Sequence, residues 1–268
     1  MIRPLREADR SAALELLHQE PQLNLYLLGN LEKLGVQHEL SQFWGDFVPG
    51  HAGELRAVLN RYMTGWSLFG RPDADWTALG ETVDSHPVQA TRLQDNPGGV
   101  PSLLPYLRRY RATQVIVEEL MQLDRADFRP VAAPAGVTVR RATRADLEPL
   151  AAFYAEAGDM ARTAAGVIRP IEDTRLWFAE EQGQIQAAAL TNAEAAGMVM
   201  IGGVFTRPEA RGRGLSQAVC SALCQEVLAE GMQPVLYWRN PTASVVYRKL
   251  GFRPIGEWRV VWLGEQSA

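Results

Sequence analysis

Lysine is nearly missing from this chain: among its 27 basic residues only Lys33 and Lys249 are lysines. With 31 acidic residues against them the formal net charge is -4, and no stretch forms a basic block. A protein that grips nucleic acid through its phosphates carries a basic stripe, so nucleic-acid binding is not expected. Cysteine is as scarce. Cys220 and Cys224 are the whole complement, too few for a disulfide framework or a thiolate metal site. They fall four apart in a helical segment and read as two small buried side chains, with no metal implied. No window holds eighteen uninterrupted apolar residues, so neither a membrane span nor a membrane partner is expected. The charged opening MIRPLREADR is unlike the apolar run of a secretory signal, and a cytoplasmic protein is the expectation.

What is present is ordinary globular material, 47% apolar and 22% charged over 268 residues, which is enough for two domains. The stretch DRADFRPVAAPAG, from Asp124 to Gly136, has the proline and mixed charge of a connector. It suggests one domain over 1–124, a linker over 125–136 and a second domain over 137–268. The two halves also echo each other. IRPLREAD (Ile2 to Asp9) returns as VRRATRAD (Val139 to Asp146), each reading as a short strand entering a helix with an aspartate placed like an N-cap. LFGRPDADWTAL (Leu68 to Leu79) returns as VFTRPEARGRGL (Val204 to Leu215), and Asn96-Pro97 as Asn240-Pro241. Three echoes in one order indicate two copies of one fold. Strand and helix signals alternate in the second copy, with hairpin-like strands up to Thr206, so an α/β fold with a mixed sheet is predicted.

The second copy carries the chemistry. An apolar strand, Met198 to Thr206, runs through Arg207-Pro208-Glu209-Ala210 into Arg211-Gly212-Arg213-Gly214-Leu215-Ser216 and then a helix over Leu215 to Glu230. The first turn of a helix holds unpartnered N–H groups at the positive end of a dipole. Glycines let that backbone approach a pyrophosphate. Arg211 and Arg213 add positive charge, and Ser216 adds a hydroxyl. The loop is neither Gly-x-Gly-x-x-Gly nor Gly-Lys-Ser/Thr, which excludes the dinucleotide and nucleoside-triphosphate motifs.

This segment resembles the acetyl-coenzyme A loop of the GNAT N-acetyltransferase superfamily, Arg/Gln-x-x-Gly-x-Gly/Ala, with Ser216 at the last position where glycine or alanine is usual. Asn240-Pro241-Thr242-Ala243 through Tyr247-Arg248-Lys249-Leu250-Gly251-Phe252 resembles that family's closing segment. The resemblance covers about Gly136 to Leu263. It implies two tandem GNAT-like domains of which one keeps the cofactor site, and an acetyl-coenzyme A dependent transfer to an amine of a small molecule or a protein, directly, in a ternary complex. Implied cofactor contacts are Val204, Phe205 and Thr206 on the strand, Arg211 to Ser216 in the loop, and Asn240. Tyr247 is the implied general acid, since a phenol can protonate a departing thiolate. The strand lacks the acid that many members use as a base. Glu156, Asp159, Glu172 and Glu194 are the carboxylates near an acceptor's entry, and a water chain is the alternative. That missing acid keeps open a non-catalytic acyl-coenzyme A binding or sensing module; a longer acyl group is also open. Monomer and homodimer are both compatible with the sequence.

At the loop's counterpart the first copy reads Asp75-Trp76-Thr77-Ala78-Leu79-Gly80. An acid there repels a pyrophosphate and an indole fills the space its approach needs. This copy is expected not to bind coenzyme A at that place.

Overall fold

Contacts along the backbone divide the chain into two units, Met1–Glu119 with Gly256–Ala268, and Leu120–Ile255. The computed structural model describes residues 1–51, 53–95, 98–239 and 241–266, and their side chains except those at 95, 159 and 242. The echo at Asn96-Pro97 and Asn240 therefore lies outside the described residues.

In the first unit, β1 (Ile2–Pro4) leads to α1 (Arg10–Leu17) and α2 (Pro21–Leu34). β2 (Ser41–Phe47), β3 (Leu55–Tyr62) and β4 (Gly65–Gly70) follow, then α3 (Trp76–Ser85), β5 (Arg92–Asp95), α4 (Gly99–Leu103) and β6 (Tyr110–Gln122). β1, β2, β3 and β4 pair antiparallel in turn, and β4 pairs β5 in parallel.

The second unit repeats this plan. β7 (Thr138–Arg141), α5 (Leu147–Ala155) and α6 (Ala164–Glu172) precede β8 (Leu176–Glu181), β9 (Gln184–Ala195) and β10 (Met198–Thr206). Then come α7 (Leu215–Ala229), β11 (Gln233–Trp238), α8 (Pro241–Leu250) and β12 (Arg253–Glu265). Three antiparallel pairings again end in one parallel pairing, β10 with β11. Each unit is thus α/β with a mixed sheet, and the chain is a tandem of two such folds. Among the described residues no helix is long and apolar enough to cross a membrane.

Met198, Val199, Met200 and Ile201 are all buried, as expected of an apolar run in a strand covered on both faces. Alternation splits the second unit's core in two. Ala187, Ala189, Val199 and Ile201 pack with α7, while Phe178, Ala188, Leu190 and Phe205 pack with α5 and α6.

The boundaries differ from the pattern of the sequence at two places. Residues 125–136, read as a linker, are held within the second unit: Arg125 donates to the Leu228 carbonyl, Arg129 N–H to Leu250 O (3.0 Å) and Val131 N–H to Ser221 Oγ (2.8 Å). At the other end, β12 starts in the second unit but pairs with β5 of the first, from Arg259↔Asp95 to Trp262↔Arg92. Strand periodicity identifies β12 and is silent on its partner.

The aspartates read as N-caps act differently, and identically in both copies. Neither caps its helix. Asp9 turns back to accept from Arg6 N–H at 2.8 Å and from Arg3 at 2.6 and 2.8 Å. Asp146 accepts from Thr143 N–H at 2.8 Å and from Arg140 at 2.9 and 2.7 Å. Arg3 stacks on Phe47 and Arg140 on Phe178. A single turn of 3-10 helix before each α-helix leaves the carboxylate facing its own strand.

The hydrogen bonds from Arg140 hold the Asp146 carboxyl down at about 2, from an ordinary 3.8. A depressed native pKa stabilises above the unfolded value and the contribution is lost as pH falls through the native one. Asp146→Asn should therefore cost about 2 kcal/mol at pH 7. In urea titrations its deficit against the natural protein should shrink between about pH 4 and pH 2.

Candidate functional site

β10 begins as a strand between two others and ends as a strand with one neighbour. Its parallel ladder with β11 runs from Met198↔Gln233 to Ile201↔Leu236. β10 itself continues to Thr206, still paired with β9 through Phe205↔Ala188 and Thr206↔Ala187. Two register shifts flank the point of parting. On β9, Asn192 is the extra residue between the partners of Met200 and Ile201; on β10 an extra residue falls between Gly202 and Phe205. The Asn192 amide lies where any Cβ on Gly202 would stand, and Gly203 takes φ +57. Tyr154 donates its hydroxyl to the Gly203 carbonyl at 2.7 Å. These bulges turn β10 away from β11 and leave an edge of backbone between the strands.

Val204, Phe205 and Thr206 lie on that segment. Val204 packs toward α7, and Phe205 is buried against Phe153 with ring centroids 5.0 Å apart. Thr206 Oγ1 is buried without a partner. After β10 the chain makes one turn of 3-10 helix, closed by Ala210 N–H to Arg207 O at 3.0 Å. Gly212 and Gly214 then adopt φ of +77 and +78, and Ala218 N–H makes the first bond into α7, to Gly214 O. The N–H groups of Leu215, Ser216 and Gln217 thus have no carbonyl behind them, and no side chain caps them. A Cβ at Gly212 or at Gly214 would meet no atom within 4 Å. The glycines serve the backbone's left-handed turn, and the space over them is open. This is a cradle of donors at a helix N-terminus, suited to an anion.

The two arginines are not equivalent. Arg211 is exposed and donates Nε to the Thr206 carbonyl at 3.3 Å. Arg213 is engaged by both oxygens of Glu181, at 2.9 and 2.7 Å. The Arg213 guanidinium holds the Glu181 carboxyl below its usual range. Glu181, at the end of β8, is a neighbour that the loop motif did not reveal.

Tyr247 on α8 is buried, its ring edge-on to Phe252 with centroids 6.0 Å apart. Burial pushes its phenol well above the ordinary range, so it holds its proton at neutral pH. Asn240 lies outside the described residues, as does the side chain of Asp159. The other three candidate bases are all ion-paired: Glu156 with Arg207, Glu172 with Arg144 at 2.7 Å, and Glu194 with Arg175 at 2.5 Å. Sequence reading missed Asn192 and Tyr154. The signal for them was the Gly202-Gly203 pair inside a strand, which marks a bulge or a close approach.

The first unit shows what the same place becomes without the cradle. The turn after β4 is closed by the matching bond, Ala74 N–H to Arg71 O at 3.1 Å, without a turn of 3-10 helix. From there α3 begins at once, at Trp76. Asp75 caps it by accepting from Ala78 N–H at 3.1 Å, and the Trp76 ring lies where a Cβ on Gly70 would stand. The residues that match the glycine loop are wound into helix and their donors are used.

With this geometry in view the comparisons are informative. Residues 179–263 match the family described as FR47-like protein. A Drosophila protein of solved structure is similar over 98% of both chains, at 15% identity and a TM-score of 0.72. A GCN5-related N-acetyltransferase from Sphaerobacter thermophilus matches at 20% identity over 99% of this chain and 95% of its own, with a TM-score of 0.68. A tandem GNAT protein from the clavulanic acid biosynthesis pathway matches at 16% identity over 100% and 99%, with a TM-score of 0.64. No curated protein matches the chain.

Alanine at Gly212 or Gly214 forces an L side chain into the left-handed region, at about 1–2 kcal/mol each. Each variant should lose that much in urea denaturation. Ser216→Ala, in ordinary helical backbone, should change stability by less than about 0.5 kcal/mol.

Proposed function

We propose that this chain, a tandem GNAT fold with an FR47-like second domain, is an acetyl-coenzyme A dependent N-acetyltransferase whose cofactor binds the second unit. The observation that carries the proposal is the pairing of an opened strand edge with a glycine cradle on one βα connection. The donors fit the cofactor's two kinds of acceptor. N–H groups from Gly212 to Ser216, with Arg211, bind the pyrophosphate. The β10 edge at Val204 and Thr206 offers backbone groups to the amide arm, in the manner of an added strand, while Phe205 stays in the core. Arg213 joins once the anion displaces Glu181. Asn240 is assigned to the thiol end.

Bound there, acetyl-coenzyme A supplies an acyl group activated as a thioester. Tyr247 is the group assigned to protonate the departing sulfur; burial raises its phenol's pKa, which keeps it protonated and makes it a weaker acid. Cys220 and Cys224 are buried, and burial pushes the Cys220 thiol up to about 12. Neither is a thiolate nucleophile, which favours direct transfer to the acceptor amine. With no acid on β10 and Glu156, Glu172 and Glu194 ion-paired, the amine's proton leaves through water. That same lack of a base supports a second reading, a binding or sensing module without turnover.

Calorimetric titration with acetyl-coenzyme A should give one site of micromolar affinity, and Arg211→Glu/Gly214→Glu should abolish it. No binding by the natural protein would overturn the proposal. Tyr247→Phe should lower kcat by about 100-fold or more while the affinity for coenzyme A stays within about twofold. A natural protein that binds acetyl-coenzyme A but turns over no amine would favour the second reading.

A further inference from the structure

Beside the parting strands stands a cation that no described carboxylate neutralises. Arg162 follows α5 and is half-buried. Its Nη2 donates to Asn192 Oδ1 at 3.1 Å and lies 3.3 Å from where a Cβ on Gly203 would sit. Its Nε is buried without a partner. Arg169 adds a second guanidinium, donating to the Asn192 carbonyl at 2.9 Å. Three described carboxylates of this region are engaged elsewhere: Glu156 on Arg207, Glu172 on Arg144, Glu194 on Arg175. Tyr154, beneath, commits its hydroxyl to the Gly203 carbonyl. What faces the bulge is donor-rich and net positive. A half-buried guanidinium with an unpartnered Nε and no counter-charge among the described residues carries a desolvation cost that a bound anion offsets, and its planar fork matches a carboxylate.

We propose that the acceptor is an amino acid or a related amino-carboxylate, and that Arg162 binds its carboxylate so that its amine meets the point where β10 leaves β11. This rests on the acyltransferase reading above. In the transfer the amine nitrogen bonds the acyl carbon as the carbon–sulfur bond breaks, and the bonding pair leaves on sulfur. Of the two protons the ammonium gives up, one goes to water, and the sulfur gains one through Tyr247, which the other restores.

The test reads binding of the product class, so it does not need turnover. N-acetyl derivatives of glycine, alanine, glutamate and phenylalanine, each beside its carboxamide, are titrated calorimetrically into the full-length protein with and without coenzyme A. At least one acid should bind ten or more times tighter than its amide. Arg162→Gln, which keeps a partner for Asn192, should erase that preference, and Arg162→Lys should restore part of it. Coenzyme A affinity unchanged in Arg162→Gln shows that the variant is folded. Equal binding of acid and amide, no binding of any acid, or a preference that survives Arg162→Gln would overturn the proposal. Failure of coenzyme A to bind the natural protein would overturn the cofactor reading separately, whatever the acids do.

Discussion

The separation of β10 from β11 after Ile201↔Leu236 is the constraint on which the site proposed for the second unit depends. A parallel ladder continued to Thr206 would use the backbone edge that a ligand needs. The parting is built from side chains rather than left to fraying. Asn192 bulges on one strand and its amide overlies Gly202; Gly203 turns left-handed on the other. The carbonyl of Gly203 is taken by the Tyr154 hydroxyl, which satisfies a buried acceptor that the irregular backbone would otherwise strand. Two glycines and an asparagine thereby give an edge to a strand whose first half is wholly buried.

The two copies show how little must change to remove a site from a fold. Strand, a turn closed by an alanine N–H three residues on, and the burial of that alanine recur, with Ala74 at 8% and Ala210 at 2% exposure. The divergence is confined to the next few residues. In one copy an aspartate caps the helix and a tryptophan covers the strand end; in the other two left-handed glycines delay the helix and keep its first donors free. At a helix N-cap an aspartate exceeds a glycine by only a few tenths of a kcal/mol. The second copy forgoes that difference at its loop, while α7 buries Leu215, Val219, Leu223 and Val227 along one face. The site proposed above thus differs from its counterpart by a few loop residues on a frame that tolerates either choice.

Local features were legible in the sequence, and pairings over distance were not. Met198 to Thr206 was readable to the residue, because apolar continuity and β-branched content speak for a buried strand. The start of α7 at Leu215 was readable because glycines precede an apolar helical period. The destination of β12 was not, since alternation in a strand says nothing of which edge it joins. Residues 125–136 read as a linker by composition, yet their hydrogen bonds to Ser221 and Leu250 come from residues about a hundred positions away. Arg211 and Arg213 looked alike for the same reason. Only the fold brings Glu181 to one of them.

That pairing bears on how a chain of net charge -4 can present an anion site at all. Net charge governs the far field, which salt screens within about 10 Å. At the loop the near field decides. The Arg213–Glu181 pair is exposed at Arg213 and half-buried at Glu181, and surface pairs of this kind contribute about 1 kcal/mol or less. A pyrophosphate that meets a cradle of backbone donors and the Arg211 charge outweighs a pair of that size. In the proposed site Glu181 is a placeholder, holding Arg213 beside the loop until a stronger anion takes it. The helix dipole is fixed and Arg211 is uncommitted to any described carboxylate, so the site keeps its sign while the protein as a whole stays acidic.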